Sequence, residues 1–226
     1  IDPQQRLALA IAWQATEDAG YRAIDLSGTS TGVYFGVSSH DYSHFVGTPN
    51  FEVKAYSGTG NAFTVYANRI SYLLNLQGPS EPIDEACSSS LIAIHRAVTA
   101  INGGDCDLAI AGGINLALGP ETGISYDLAG MLSQDGRCRS FDAKANGFIR
   151  SEGVGVIILK SLSQAEKDGD HIYGIIKGSA ENHSGRSKAL TAPDEEAQRR
   201  LIVTAYERAG ISPDRVSYIE AHGTGT

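Results

Sequence analysis

The sequence predicts an α/β protein, with helices laid on the faces of a parallel sheet. Three observations carry that reading. Short β-rich stretches alternate with segments of helical spacing, the order a parallel sheet requires. Two of those stretches, Asp107 to Leu118 (DLAIAGGINLAL) and Gly153 to Lys160 (GVGVIILK), run on in apolar residues rather than alternating, as buried strands do. Between them and the N-terminus lies a helical segment, Ser88 to Ile101, that is apolar nearly all round.

Asp2 as N-cap, Pro3 at the first helical position and Gln5 three residues after Asp2 open the first helix. Leu7, Ile11, Ala15 and Ala19 keep helical spacing until Gly20 closes it. Thr31 to Ser38 (TGVYFGVS) reads as a strand, and residues 61–74 as a helix stopped by Gly78-Pro79. Glu81 to Asp84 is a brief extended piece. The helix from Ser88 carries Leu91, Ile92, Ala93, Ile94, Ala97, Val98, Ala100 and Ile101, and Gly103-Gly104 stops it. Only His95, Arg96 and Thr99 interrupt its apolar surface, so it belongs between layers. After an acidic linker, Glu166 to Asp170, the order strand, helix, strand begins again. Tyr173 to Ser179 and Val216 to Ala221 are the strands, and Asp194 to Ala209 is the helix, with Ala197, Leu201 and Ala205 on one face. That restart divides the chain into a first half, 1–165, and the opening of a second, 166–226.

Composition narrows the function classes. Over 226 residues, 18 basic against 26 acidic side chains give a charge of −8 with no Lys/Arg cluster, which argues against nucleic acid as a partner. No apolar run approaches the roughly 20 residues that cross a bilayer, and no leader pattern opens the chain. Three cysteines, Cys87, Cys106 and Cys138, are too few and too scattered for a disulfide framework or a zinc site, which fits a reducing cytoplasm. The sequon Asn182-His183-Ser184 is background there. The chain opens at Ile1 directly before a helix and stops at Thr226 inside a Gly/Thr turn, as expected of a piece of something longer.

Cys87 falls where an extended segment turns into the apolar helix. Unpaired N–H groups and the helix dipole there favour a thiolate, whose parent thiol ordinarily titrates at about 8.5. Ala86, Ser88, Ser89 and Ser90 are small enough to admit an acyl group. A lone cysteine is more often a structural one, and that is the reading for Cys106 and Cys138. Cysteine chemistry needs an imidazole. His222 is the best placed, at the end of an expected strand and before Gly223-Thr224-Gly225, where sites of parallel sheets collect. His95 lies within the helix, and His40, His44, His171 and His183 fit solvated positions. Gly58-Thr59-Gly60 lacks the third glycine of a dinucleotide fingerprint and reads as a plain turn.

Several segments together resemble the β-ketoacyl synthases of modular type I polyketide synthases. Gly78-Pro79-Ser80 with Ile83-Asp84-Glu85-Ala86-Cys87-Ser88-Ser89-Ser90-Leu91 is similar to their active-site segment. Glu220-Ala221-His222-Gly223-Thr224-Gly225-Thr226 is similar to their first catalytic histidine motif. Asp2-Pro3-Gln4-Gln5-Arg6, Gly130 to Cys138 (GMLSQDGRC) and Leu190-Thr191-Ala192-Pro193 extend the likeness, in order, over essentially the whole chain. Ala67 to Ser71 (ANRIS) through Ala97, with Asn182 to Gly185, is similar to the subgroup served by a separate acyltransferase.

The resemblance implies a thiolase fold, α/β/α/β/α in layers. This chain would supply most of its N-terminal half and the start of its C-terminal half. It implies acyl transfer to Cys87, then decarboxylative condensation with a malonyl-type extender, with His222 assisting decarboxylation or the enolate. No cofactor is implied for the domain itself, because substrates ride on the phosphopantetheine of an acyl carrier protein. The implied partners are that carrier, a neighbouring or separate acyltransferase, and a second copy in a homodimer. Glu85 departs from the threonine most members carry, and a carboxylate turned toward the sulfur would disfavour the thiolate. The second histidine, in a Lys-x-Asn-x-Gly-His segment, and a Gly-rich oxyanion segment are expected beyond Thr226, so the isolated chain should not condense. Competing readings are a thiolase or fatty-acid-type elongating synthase, a fold-sharing domain that only holds or passes acyl chains, and a cysteine protease.

Overall fold

The computed structural model describes all 226 residues. Its centre is a four-stranded sheet of β1 (Thr31–Val37), β2 (Ser80–Ile83), β3 (Leu108–Asn115) and β4 (Gly153–Lys160), in the order β2-β1-β3-β4. β1 pairs in parallel with β2 and β3, whereas β4 runs antiparallel to β3, from Leu108 opposite Lys160 to Asn115 opposite Gly153. The sheet is therefore mixed, and the expectation of a wholly parallel one is corrected at β4. That strand also shows alternating exposure instead of burial on both sides. Val154, Val156 and Ile158 pack on a core, while Ile157 is 41% exposed at the sheet edge.

Strand side chains point alternately to two faces, and the two faces here differ in size. Val33, Phe35 and Val37 of β1 join Leu108, Ile110 and Ile114 of β3 under two helices, α1 (Pro3–Asp18) and α3 (Val65–Leu74). Tyr34, Ala109 and Ala111 face the other way, onto Ala93, Ala97 and Ala100 of α4 (Ser89–Gly103). α4 can lie so close because glycines stand beneath its start. A methyl group on Gly36 would fall 2.6 Å from the backbone of Ser89 and Ser90, and one on Gly113 would fall 2.7 Å from Ser90 Cβ. The buried stripe of α4 is only Ser89, Ala93, Ala97 and Ala100; Leu91 is 71% exposed. The helix thus has one covered face rather than two, because no second sheet forms in this chain to lie over its outer side.

α1 starts as expected, with Asp2 accepting from Gln4 N at 2.7 Å. Its inward face, however, is Gln4, Gln5, Ala8, Ala12 and Thr16, and Leu7 is 39% exposed. Ala8 and Ala12 pack in the core, and Gln4 goes inside because it serves a buried network. Gln4 donates to Ser39 O at 3.0 Å and accepts from Leu116 N at 3.1 Å, and the Tyr66 hydroxyl donates to Asp2 at 2.5 Å. Burial, then the Asp2 carboxylate, push that phenol well above its usual range. The network fastens the head of α1 to the residues just past β1 and β3.

The helix expected over 61–74 is split into α2 (Ser57–Asn61) and α3. It ends on Asn75 in the left-handed region (φ 54°), before the glycine-proline pair. A helix between β3 and β4, α5 (Glu121–Leu128), had no counterpart in the sequence reading; buried Asp41 accepts from Leu118 N and Gly119 N, both at 3.1 Å, ahead of its start. The acidic linker is corrected to a helix, α6 (Leu162–Asp168), closed by Gly169 at φ 72°. Lys160 explains it. Burial disfavours its charge, but hydrogen bonds to Asp168, Asp170 and Tyr21 outweigh that and raise its pKa, drawing the acidic residues inward.

The chain resolves into two compact units, Ile1–His171 with His222–Thr226, and Ile172–Ala221. The second unit is α7 (Glu195–Ala209), capped by Asp194, against the segment around Gly178. Asn182 donates to Ala197 O at 2.8 Å and Arg208 to Ser179 O at 3.0 Å. The strands expected at 173–179 and 216–221 are absent. A strand exists by pairing, and neither segment joins a ladder; Tyr173, Tyr218 and Ile219 remain 75–79% exposed.

Candidate active site

Cys87 stands in a single 3-10 turn, Ala86–Ser88, between β2 and α4, at the end of the sheet where β1 and β2 finish. It is exposed. The turn is bent by Ala86, whose φ of 50° is unusual for a residue with a Cβ and costs roughly 1–2 kcal/mol. Polar groups hold it there from both sides. The Ala86 N–H donates to Asp84 Oδ1 at 3.2 Å, and the Ala86 carbonyl accepts from Ser38 Oγ at 3.2 Å and Ser89 Oγ at 2.7 Å. Ser89 Oγ also accepts from Glu85 N at 2.9 Å, and Glu85 O accepts from Ser88 Oγ at 2.8 Å. Asp84 in turn sits 3.6 Å from His40 Nε2, whose ring meets Phe63 edge-on at 5.4 Å.

Cys87 therefore immediately precedes the positive end of a 15-residue helix, on a turn that cannot easily straighten. Cys106 differs in kind: it is buried, and burial pushes its thiol up, away from the reactive form. The structural role expected of Cys106 fits that setting. Cys138 is exposed, so it does not fill a core. No group of three His, Cys, Asp or Glu side chains gathers as metal ligands would.

His222 is exposed and heads the irregular segment that closes the chain. Although it follows Ala221 in sequence, His222–Thr226 belongs to the same unit as Cys87. The turn is seated on the loop after α5. Ser140 Oγ donates to Gly223 O, Cys138 Sγ lies 3.3 Å from Thr224 O, and Gly147 N donates to Gly225 O at 2.9 Å. Cys87 and His222 are thus carried on separate turns of one unit, each with its own set of hydrogen bonds.

Sequence reasoning had passed over Ser38, Asp84 and Ser89 as holders of the cysteine turn. The Ser88-Ser89-Ser90 run was legible only as a lack of bulk. The left-handed Ala86 left no signal, since glycine is what normally marks that conformation.

Residues 1–165 match the family described as beta-ketoacyl synthase, N-terminal domain, and residues 173–226 match its C-terminal domain. Among curated relatives, polyketide synthase PksN of Bacillus subtilis is 53% identical over the whole chain, which spans 4% of that protein. Polyketide synthase ThaG of Burkholderia thailandensis is 48% identical over the whole chain, which again spans 4% of it. Among solved structures, the ketosynthase from module 6 of the bacillaene synthase of Bacillus subtilis superposes with a TM-score of 0.92 at 46% identity, over all of this chain and 38% of that one. The oxazolomycin ketosynthase domain of Streptomyces albus gives 0.92 at 42%, over all of this chain and 39% of that one. The layered thiolase-type α/β arrangement expected from the sequence is the fold of these structures.

Proposed function

The chain belongs to the beta-ketoacyl synthase family, and from that premise we propose that it carries the nucleophile and one catalytic histidine of a decarboxylative condensing enzyme of polyketide biosynthesis. The observation that carries the proposal is the Cys87 turn, strained, polar-braced and set at the start of α4. The Cys87 thiolate attacks an acyl thioester on the phosphopantetheine arm of an acyl carrier protein. The tetrahedral intermediate collapses, the carrier thiol leaves, and the acyl chain stays on the sulfur. The Cys87 backbone N–H, in the turn, serves as one oxyanion donor. A malonyl-type extender on a carrier protein then loses CO2. His222 donates a hydrogen bond to the resulting enolate oxygen or assists the decarboxylation. The enolate carbon attacks the Cys87 thioester, forms the new C–C bond and expels the thiolate, which restores the enzyme.

The carrier protein is the partner this chemistry requires, and phosphopantetheine arrives with it as substrate, leaving the domain without a cofactor of its own. The segments Ala67 to Ser71 and Asn182 to Gly185 support assignment to the subgroup served by a separate acyltransferase. Residues 1–165 and 166–226 then belong to the two halves of one synthase domain. That domain acts as a homodimer in a reducing cytoplasm, which the three free cysteines fit. No helix of the chain is long and apolar enough to cross a membrane.

The decisive measurement is intact-mass analysis of the complete domain with an acyl thioester. Acylation should appear on wild type and vanish in Cys87→Ala. Product formation from a malonyl carrier protein should vanish in His222→Ala while acylation persists. Acyl transfer between carriers without condensation in wild type would instead favour the chain-holding reading. Equal alkylation-against-pH profiles for wild type and Glu85→Thr would show that the Glu85 carboxylate does not act on the sulfur.

A further inference from the structure

Resting on the role given to His222 above, we propose that Cys138 and Ser140 are positioning residues for that histidine. They set its aim by holding the backbone of the turn that follows it. Gly223 and Gly225 both have positive φ, 54° and 72°, in a stretch with no helical or strand pairing. Two glycines in five residues leave this backbone free to rotate unless something external fixes it. One loop supplies that constraint to three successive carbonyls. The Ser140 hydroxyl donates to Gly223 O, the Cys138 thiol faces Thr224 O at 3.3 Å and Gly223 O at 3.7 Å, and the Gly147 N–H donates to Gly225 O at 2.9 Å.

The loop is itself braced. Ser133 Oγ contacts Asp135 at 2.7 Å and Asn146 at 2.9 Å and accepts from Arg137 N at 3.2 Å, and Arg139 forms an ion pair with Asp135. A platform so tied can pass its position to His222. Cys138 is exposed and far less suited to filling space than to donating its proton. A misplacement of about 1 Å in a catalytic group costs on the order of 100-fold in rate, so slack in this turn reaches the chemistry directly.

The test uses the complete synthase domain bearing Cys138→Ala with Ser140→Ala. Acylation is read with an acyl N-acetylcysteamine thioester and condensation with a malonyl-loaded carrier protein. Condensation should fall by about tenfold or more while Cys87 acylation stays within about twofold, and Cys138→Ser with Ser140→Thr should recover most of the loss. Wild-type condensation in the alanine pair, or an equal fall in both steps, overturns the proposal. If the alanine pair does not fold, the Ser/Thr pair decides. Retained condensation supports the donor role, and a tenfold loss with intact acylation refutes it. His222→Ala is measured alongside. If it condenses normally, the reading of His222 fails and takes this proposal with it; if it is dead while the alanine pair is unimpaired, only the positioning role fails.

Discussion

Cys87 and His222 both occupy exposed turns of one unit, yet the two turns are secured by different kinds of contact. The cysteine turn is pressed onto the sheet: Gly36 and Gly113 let the start of α4 touch the strands, and Ser38, Asp84 and Ser89 clamp Ala86. The histidine turn touches no strand of the sheet in its hydrogen bonds and hangs from one irregular loop by backbone carbonyls. The proposed nucleophile, fixed by tertiary packing, and the proposed histidine partner, fixed by loop-to-loop bonds, should fail differently. The acylation step should track the stability of the fold, and the condensation step should be lost under milder perturbation.

The largest effect is expected at Gly36→Ala. The added methyl group meets backbone at 2.6 Å, with no flexible side chain to yield, and overpacking of this kind costs about 3 kcal/mol. Denaturant unfolding should show that loss, and acylation should cease along with condensation. Gly225→Ala attacks the other turn. Its φ of 72° and the Arg139 backbone at 3.3 Å make an alanine there cost about 1–2 kcal/mol locally. Condensation should drop while acylation holds, with the unfolding midpoint lowered less than in Gly36→Ala. A smaller change follows from Ser89→Ala, which removes the hydroxyl shared by Glu85 N and Ala86 O. About 1 kcal/mol of turn stability should be lost, read as slower acylation with an unchanged condensation-to-acylation ratio.

The mildest test is acid. Hydrogen bonds from Ser133 and then from Arg139 hold the Asp135 carboxyl below its usual range. A depressed carboxylate adds stability above its unfolded value of about 3.9, and that stability is lost as pH falls through the lower folded value. Exchange of the Gly147 amide, corrected for its intrinsic rate, should therefore quicken below about pH 4 before amides of α4 do. Simultaneous quickening would erase the distinction between the turns.

What could be read in the amino-acid sequence follows the same divide. β1, β3, α4 and the N-cap at Asp2 announced themselves through local pattern, and so did the junction carrying Cys87. Elements that depend on a distant partner did not. The direction of β4 is a matter of topology that its apolar run cannot encode, and 173–179 and 216–221 have strand-like composition without pairing. The inward face of α1 misled because Gln4 is buried to serve a network with Tyr66, Ser39 and Leu116, while only the small Ala8 and Ala12 carry its apolar contact. Acidic character made α6 look like a linker until Lys160 supplied the counter-charge. For the site, residue types nominated Cys87 and His222, whereas the groups that aim them lie far away in sequence, at Ser38, Cys138 and Ser140.

The reversal of β4 has a geometric outcome of its own. Because Gly153 pairs with Asn115, the excursion over 116–152 departs from and rejoins the sheet on one rim. That rim is also where β1 and β2 finish and where the residue-87 turn begins. Had β4 run parallel, the chain would have needed to cross to the far side of the sheet before entering it. Insertions or deletions in the excursion would therefore reshape the working rim and spare the opposite one.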